Sequence, residues 1–303
     1  TAPLYGYGLS EHRVGRQVRL YGRDRIVLST KVGRLLQPVA SPREPDDPWR
    51  EPLPFEVRYD YGYDGVMRSF EDSLQRLGTD RIDILLLHDI GALTHGGDRH
   101  PALMAEAMEG GARAMRALKD QGAVRAIGLG VNEWEVCAEA LDHAGWDVFL
   151  LAGRYTLLEQ TVLDGFFPLC ARRGVRIIVG GPYNSGILAG GDTFNYVRAP
   201  AEIMARARAL KRVCDAHRVP LPAAALQFVL RHPVVASVIP GARSAAEVLP
   251  QASLALCAAS SASSMSSAVE RAAWVYGLPV IGVTTSKYPP FTGAVHLPPM
   301  KLS

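Results

Sequence analysis

Short, nearly uninterrupted apolar runs alternate along this chain with longer segments whose apolar residues recur every three or four positions. The runs fall at 25–29, 83–88, 123–129, 147–152, 175–180 and 235–239. Continuous apolar stretches of this length are what strands show when both faces of a parallel sheet are covered. Between them, Val66, Phe70, Leu74 and Leu77 step by helical spacing, as do Ile203, Ala207, Leu210 and Cys214, with Arg206, Arg208, Lys211 and Arg212 on the opposite side. Gly78, Gly122, Gly145 and Gly174 stand where helix C-caps belong, shortly before the next strand. The repeated unit is strand, crossover helix, parallel strand. No GxGxxG follows any of these strands, which argues against a dinucleotide-binding open sheet. The pattern predicts an α/β fold, a (β/α)8 TIM barrel, with Thr1–Pro3 as the end of a seventh strand. The first strand, first helix and most of the second strand are expected upstream of Thr1.

Two stretches interrupt this grammar. Segment 37–61 holds Pro38, Pro42, Pro45, Pro48, Pro52 and Pro54 among mixed charges. As a strand-to-helix loop it lies on the barrel face where active sites form, either as plain solvent loop or as a substrate lid carrying Trp49 and Phe55. From 249 to 303 the alternation stops, and 260–267 is of low complexity. The expected division is a barrel over 1–248 and an atypical C-terminal segment over 249–303.

Composition narrows the function classes. The 303 residues are 48% apolar, and 33 basic against 30 acidic side chains leave a net charge of +3. So balanced a surface gives no electrostatic footprint for nucleic acid. No apolar run reaches the ~18 residues of a membrane span, and Cys137, Cys170, Cys214 and Cys257 lack ligand-like spacing. A cytoplasmic protein is expected, monomer or homodimer, with a small-molecule partner, no membrane and no metal. His95 and His100, in a Gly-rich loop, are expected to face solvent.

Three chemical signals stand at consecutive strand ends: Thr1-Ala2-Pro3-Leu4-Tyr5-Gly6-Tyr7-Gly8 with Ser10-Glu11 opening a helix, then Ser29-Thr30-Lys31-Val32-Gly33, then Leu85-Leu86-Leu87-His88-Asp89. Singly, such a Tyr is a turn residue, such a Lys snorkels, and such a His is a satisfied structural histidine. Together, at the carboxyl ends of successive barrel strands, they point into one opening.

These blocks, in this order, resemble the signature of the aldo-keto reductase family, and the likeness runs from Thr1 to about Val248. Further blocks, Asp64-Gly65-Val66-Met67-Arg68-Ser69, Gly128-Leu129-Gly130-Val131-Asn132-Glu133, Ala152-Gly153-Arg154-Tyr155-Thr156-Leu157-Leu158-Glu159-Gln160 and Gly180-Gly181-Pro182-Tyr183-Asn184-Ser185-Gly186, are similar to the branch that oxidises aldoses of the L-fucose (D-threo) type at C1, and to the related pyridoxal 4-dehydrogenases. The resemblance implies an NAD(P)-dependent oxidoreductase with Tyr5 as general acid and base, Lys31 beside it and His88 holding the substrate oxygen. The family's remaining catalytic residue, an Asp that pairs with the lysine, belongs immediately before Thr1. These residue types suit proton transfer, since a phenol ordinarily ionises near pH ~10 and a neighbouring ammonium stabilises the phenolate. A phenol so placed serves carbonyl reduction as an acid and alcohol oxidation as a base. Reduction of generic aldehydes is an alternative activity, and a catalytically idle nucleotide-binding barrel the alternative of another class.

By the same resemblance, Asn132 binds the nicotinamide carboxamide, and Tyr183 and Ser185 cover the pyrophosphate. The segment from Ile239 through Gly241 and Arg243 to Glu247 receives the adenosine phosphates at a helix N-terminus. Glu247 stands where members that prefer NADP carry an arginine, which favours NAD over NADP, while Arg243 nearby opposes that preference. Gln251 takes the place of an adenine-contacting Asn, after a Pro250 that breaks the helix expected there. Ala152 and Gly180 replace the family's usual Gln and aromatic around the nicotinamide ring.

Overall fold

The protein is described as a computed structural model covering residues 1–39, 49, 51–242 and 247, and structural statements below concern these residues. In chain order they form α1 (Leu9–Tyr21), β1 (Ser29–Val32), β2 (Arg34–Pro38), β3 (Phe55–Tyr59), α2 (Tyr63–Leu77) and β4 (Ile84–His88). Then come α3 (Ala92–His95), α4 (His100–Glu106), a π turn (Ala107–Gly111) running into α5 (Ala112–Asp120), β5 (Ala126–Val131), α6 (Glu135–Ala140) and β6 (Val148–Ala152). The order closes with α7 (Phe166–Arg173), β7 (Arg176–Gly180), β8 (Thr193–Phe194), β9 (Val197–Arg198), α8 (Ala201–Ala216), α9 (Leu221–Leu230) and β10 (Val235–Ile239).

Six strands form one parallel sheet in the order β1-β4-β5-β6-β7-β10. Each strand after the first lies beside its predecessor in this series, as successive right-handed crossovers of a TIM barrel require. Six of the eight strands of a (β/α)8 barrel are therefore present among the described residues, with β1 and β10 at the sheet's edges. Register aligns the carboxyl ends: Lys31 pairs with Leu86, His88 with Gly130, and Ala152 with Gly180.

Alternation along the strands sorts their side chains between two faces. Leu85, Leu87, Ile127, Leu129, Phe149, Leu151, Ile177 and Val179 belong to the large cluster shared with the helices. Leu86, Val148 and Ile178 form a small separate cluster on the other face, inside the curve of the sheet. Room there is short. A Cβ on Gly128 would stand 1.5 Å from the Val148 carbonyl oxygen, and one on Gly130 3.0 Å from Cε of Lys31. These glycines let neighbouring strand and lysine stem approach the inner face.

Helix ends follow the expected chemistry at Gly78 (φ 61) and Gly174 (φ 72), which cap α2 and α7 in the left-handed conformation. Gly145 does not: α6 stops at Ala140, and turns over 141–144 intervene. The spacing of Val66, Phe70 and Leu77 gives α2 its buried stripe, and Ala207, Leu210 and Cys214 give α8 its own.

Three further expectations need correction. The first strand of the sheet is Ser29–Val32, not 25–29. Val27 is exposed, and the Leu28 N–H donates to the Asp83 carboxylate, so the apolar run ahead of the strand is its approach. Thr1–Pro3 is not a strand end: turns occupy residues 3–8 and lead into α1. Within 37–61, β2 and β3 form an antiparallel hairpin, Arg34 opposite Tyr59 and Pro38 opposite Phe55. Gly33 (φ 95) makes the bend from β1 into that hairpin, and the Tyr61 ring fills the place of any Cβ there.

One buried ion pair fixes α1 against the sheet. Glu11, fully buried, accepts from Arg76 Nε at 2.6 Å and from Thr30 Oγ1 at 2.5 Å. It thereby joins α1 to α2 and to β1, one residue before Lys31. Segment 249–303, with its expected separate character, lies outside the described residues.

Candidate active site

The turn over residues 3–8, held by α1, carries Tyr5 to the carboxyl end of β1. Its hydroxyl accepts a hydrogen bond from Lys31 Nζ at 2.9 Å, and the same ammonium donates to the Thr1 carbonyl at 3.1 Å. Lys31 is buried and sits 4.6 Å from the Tyr5 ring centroid, so it adds a cation–π contact to the hydrogen bond. His88, two positions beyond Leu86 on the same face of β4, stands edge-on to Tyr5 with ring centroids 5.7 Å apart. Thus the three residues singled out in the sequence, Lys31 and His88 from strands and Tyr5 from a turn, meet around one cavity of about 740 Å³.

Burial, then the positive charges of Lys31 and Arg34, lower the pKa of His88 well below its usual value. A neutral imidazole carries one N–H. Nε2 lies on the cavity side, 3.3 Å from Asp89 Oδ2, while Nδ1 is buried without a partner. Nε2–H is therefore the group His88 can present to an oxygen in the cavity.

Asp89 follows the last residue of β4 and gathers the polar side of this wall. Arg34 donates to its Oδ2 at 2.8 Å, and Asn132 Nδ2 donates to its Oδ1 at 3.2 Å. Burial raises the Asp89 pKa, against the lowering influence of Arg34, Asn132 and Lys31. Arg34 is itself buried, with its guanidinium 5.3 Å from the Tyr59 ring centroid. The sequence pattern assigns no role to Arg34 or Asp89, although both abut the blocks it singles out: Arg34 follows Thr30-Lys31-Val32-Gly33, and Asp89 closes Leu85-Leu86-Leu87-His88-Asp89. A charged residue directly at a barrel strand's carboxyl end was the available signal.

Asn132 lies where the sequence placed it, just past β5 and on the cavity wall. Its Oδ1 accepts from the Tyr196 hydroxyl at 3.1 Å. Tyr196 comes from the turn of the β8–β9 hairpin, in which Asn195 (φ 48) and Tyr196 (φ 67) both take the left-handed conformation. This two-residue turn geometry is common in hairpins but normally favours Asn or Gly, so Tyr196 is the less expected occupant. Ser185 accepts the Tyr196 N–H at 2.9 Å, and its carbonyl accepts from Thr193 Oγ1 at 2.6 Å. Ser185 thus ties the hairpin that delivers Tyr196. Tyr183 is buried among Leu157, Leu158 and Ile187, its hydroxyl without a partner and its pKa pushed up to about 12 by burial.

Trp49 reaches the cavity and stands 5.4 Å from the Tyr5 ring, whereas Phe55 sits in β3 and is absent from the cavity lining. Gly241 is exposed and Glu247 half-buried, both away from this lining. Arg243 and Gln251 lie outside the described residues. His95 is not at the surface as expected: its Nε2 lies 2.9 Å from the buried Tyr61 hydroxyl, and its ring packs edge-on against Tyr59 and Tyr61. His100 is half-buried and pairs with Glu139 at 2.9 Å.

The cavity floor suits a flat ring. Gly130, Leu150 and Ala152 line it, and Gly180, register partner of Ala152, adds no side chain above them. An amide on Asn132 borders this floor.

A model of the Aldo/keto reductase family matches residues 1–270. The chain is 47% identical to a pyridoxal 4-dehydrogenase of Microbacterium luteolum over 262 residues, covering 82% of this chain and 76% of that protein. It is 36% identical to a D-threo-aldose 1-dehydrogenase of a Pseudomonas species over 264 residues, covering 84% and 78% respectively. Among solved structures, the holo form of an aldo-keto reductase from Bacillus halodurans superposes with a TM-score of 0.67 at 25% identity, over 89% of this chain and 80% of that one. Among the described residues no helix is long and apolar enough to cross a membrane.

Proposed function

The chain belongs to the aldo/keto reductase family, and from that premise we propose that it oxidises a cyclic hemiacetal to a lactone with a nicotinamide dinucleotide, an aldose of the L-fucose (D-threo) type being oxidised at C1. The observation that carries this reading is the 2.9 Å contact between Tyr5 and Lys31 in the cavity that also holds His88. Bound nicotinamide supplies the hydride acceptor, its carboxamide held by Asn132. The substrate's anomeric oxygen lies between the Tyr5 hydroxyl and His88 Nε2–H. As C1 gives up its hydride, the anomeric hydroxyl gives its proton to the Tyr5 oxygen, and the C1–O bond becomes the lactone carbonyl. Lys31 donates a hydrogen bond to the Tyr5 oxygen that takes this proton and holds it in place. The balance is one hemiacetal and one oxidised nucleotide giving one lactone, one reduced nucleotide and one proton.

Pyridoxal is the second reading, favoured by the 47% identity to a pyridoxal 4-dehydrogenase. Its aldehyde also closes on a neighbouring hydroxymethyl group to a cyclic hemiacetal, so the same proton and hydride transfers apply. For the nucleotide we favour NAD: a carboxylate at Glu247 repels the 2′-phosphate of NADP and accepts from a ribose hydroxyl.

The test incubates the protein with L-fucose, D-arabinose, L-galactose and pyridoxal, each with NAD and with NADP, and follows nucleotide reduction and lactone formation. Lactone from at least one substrate, faster with NAD, is expected. Nucleotide binding without turnover of any substrate would establish an idle barrel instead.

The electrostatics of His88 give a further expectation. Because burial, Lys31 and Arg34 lower its pKa below 6.5, the neutral form persists as pH falls past that value. The pH profile of kcat/KM therefore carries no acidic limb near 6.5 from His88. A limb there that disappears in His88→Gln would contradict the neutral assignment.

A further inference from the structure

The proton and hydride transfers make no direct use of Asp89, one of the charged residues on the cavity wall. Strand alternation would send the residue after His88 outward, toward the helices. Instead the backbone at Asp89 turns left-handed (φ 45), and its carboxylate lines the same cavity as Tyr5, Lys31 and His88. Oδ2 stands 3.3 Å from His88 Nε2, the nitrogen that presents its proton to the reacting oxygen. Arg34 and Asn132 hold the two carboxylate oxygens from behind and beside it, at 2.8 and 3.2 Å.

Stability gives little reason for this arrangement, since a buried ion pair roughly balances its own desolvation and an apolar pair would fill the wall as well. Recognition gives a better one. A carboxylate accepts up to about four hydrogen bonds and donates none when ionised. Arg34 and Asn132 take part of that capacity, and the carboxylate lies on the cavity wall beside His88. The complementary ligand feature is a hydroxyl donor on the carbon next to the reacting one.

We propose that Asp89, set in place by Arg34, is the specificity-determining acceptor for that neighbouring hydroxyl, so that the substrates are 2-hydroxy aldehydes and their cyclic hemiacetals. The proposal rests on the reading above in taking this cavity as the reaction site, and it adds the residue that selects an aldose over pyridoxal, whose ring hydroxyl stands one carbon further from the aldehyde. It also accounts for the left-handed residue, because backbone departures of this kind are held where the surrounding structure uses them.

Two substrate pairs test it: L-fucose against 2-deoxy-L-fucose in oxidation, and 2-hydroxypropanal against propanal in reduction. In the unmodified protein the hydroxylated member is expected to lead in kcat/KM by about 10- to 100-fold, the range for a hydrogen bond to a charged group. In Asp89→Leu that ratio should fall to about threefold or less, with Asp89→Asn between the two. A purely structural role would lower both members of a pair together and leave their ratio intact, which would overturn the proposal. Equal turnover of the two aldehydes by the unmodified protein would overturn it as well, whether or not either variant folds. Failure of L-fucose oxidation alone rejects the lactone reading and leaves the aldehyde ratio to decide on Asp89.

Discussion

Tyr5→Phe is expected to lower kcat by about 10²- to 10⁴-fold, the usual contribution of a positioned proton donor or acceptor, while leaving nucleotide affinity within about threefold. The phenyl ring keeps the volume that packs against Trp49 at 5.4 Å and His88 at 5.7 Å. What disappears is the oxygen that accepts from Lys31 at 2.9 Å and that is proposed to exchange a proton with the substrate. Asn132, which borders the ring-binding floor, is untouched by the change, so binding and chemistry separate. Steady-state rates in both directions, together with nucleotide titration by tryptophan fluorescence, provide the check. Parallel loss of turnover and nucleotide binding would mean that Tyr5 supports the shape of the cavity rather than its proton transfer.

Glu11→Ala is the substitution expected to cost most in stability. Its carboxylate is fully buried and satisfies Arg76 at 2.6 Å and Thr30 at 2.5 Å. Removing one partner of a buried pair leaves the other charge uncompensated, at about 3–5 kcal/mol. Glu11→Gln, which keeps the acceptor oxygen and loses the charge, should cost clearly less. Since α1 carries the Tyr5 turn and Thr30 precedes Lys31 in β1, the alanine variant should also lose turnover in the fraction that remains folded. Urea unfolding followed by circular dichroism measures the first effect. A loss under about 1 kcal/mol for Glu11→Ala would show that α1 is held by its apolar contacts alone.

What was legible in the sequence is what depends on local pattern. Apolar runs marked five of the six parallel strands to within a few residues, and strand ends are where barrel chemistry collects, so Tyr5, Lys31 and His88 could be named together. Even there the run Ile26-Val27-Leu28 misled, because hydrophobicity does not reveal where parallel pairing begins; Asp83 captures the Leu28 N–H before the ladder starts. The β2–β3 hairpin was hidden by its prolines, with Pro38 ending one strand. Long-range polar pairing left no pattern at all. Arg34 and Asp89 are 55 positions apart, and Arg76 and Glu11 65 apart. Nothing in either neighbourhood selects the partner. Tyr196 was missed for a different reason: its place at the cavity depends on a tight turn with left-handed backbone at a residue type that seldom adopts it. His95 looked like a loop residue because its Gly-rich surroundings conceal that α3 folds it onto the Tyr61 hydroxyl.

The most direct measurement follows a label rather than a rate. L-Fucose, and pyridoxal in parallel, carrying deuterium on the carbon to be oxidised, is incubated with the oxidised nucleotide, and both products are weighed by mass spectrometry. Direct transfer in this cavity predicts reduced nucleotide heavier by one deuterium, a lactone free of label, and loss of both in Tyr5→Phe. Deuterium released to water, or labelled nucleotide formed equally well by Tyr5→Phe, would contradict a proton shuttle built from Tyr5 and Lys31.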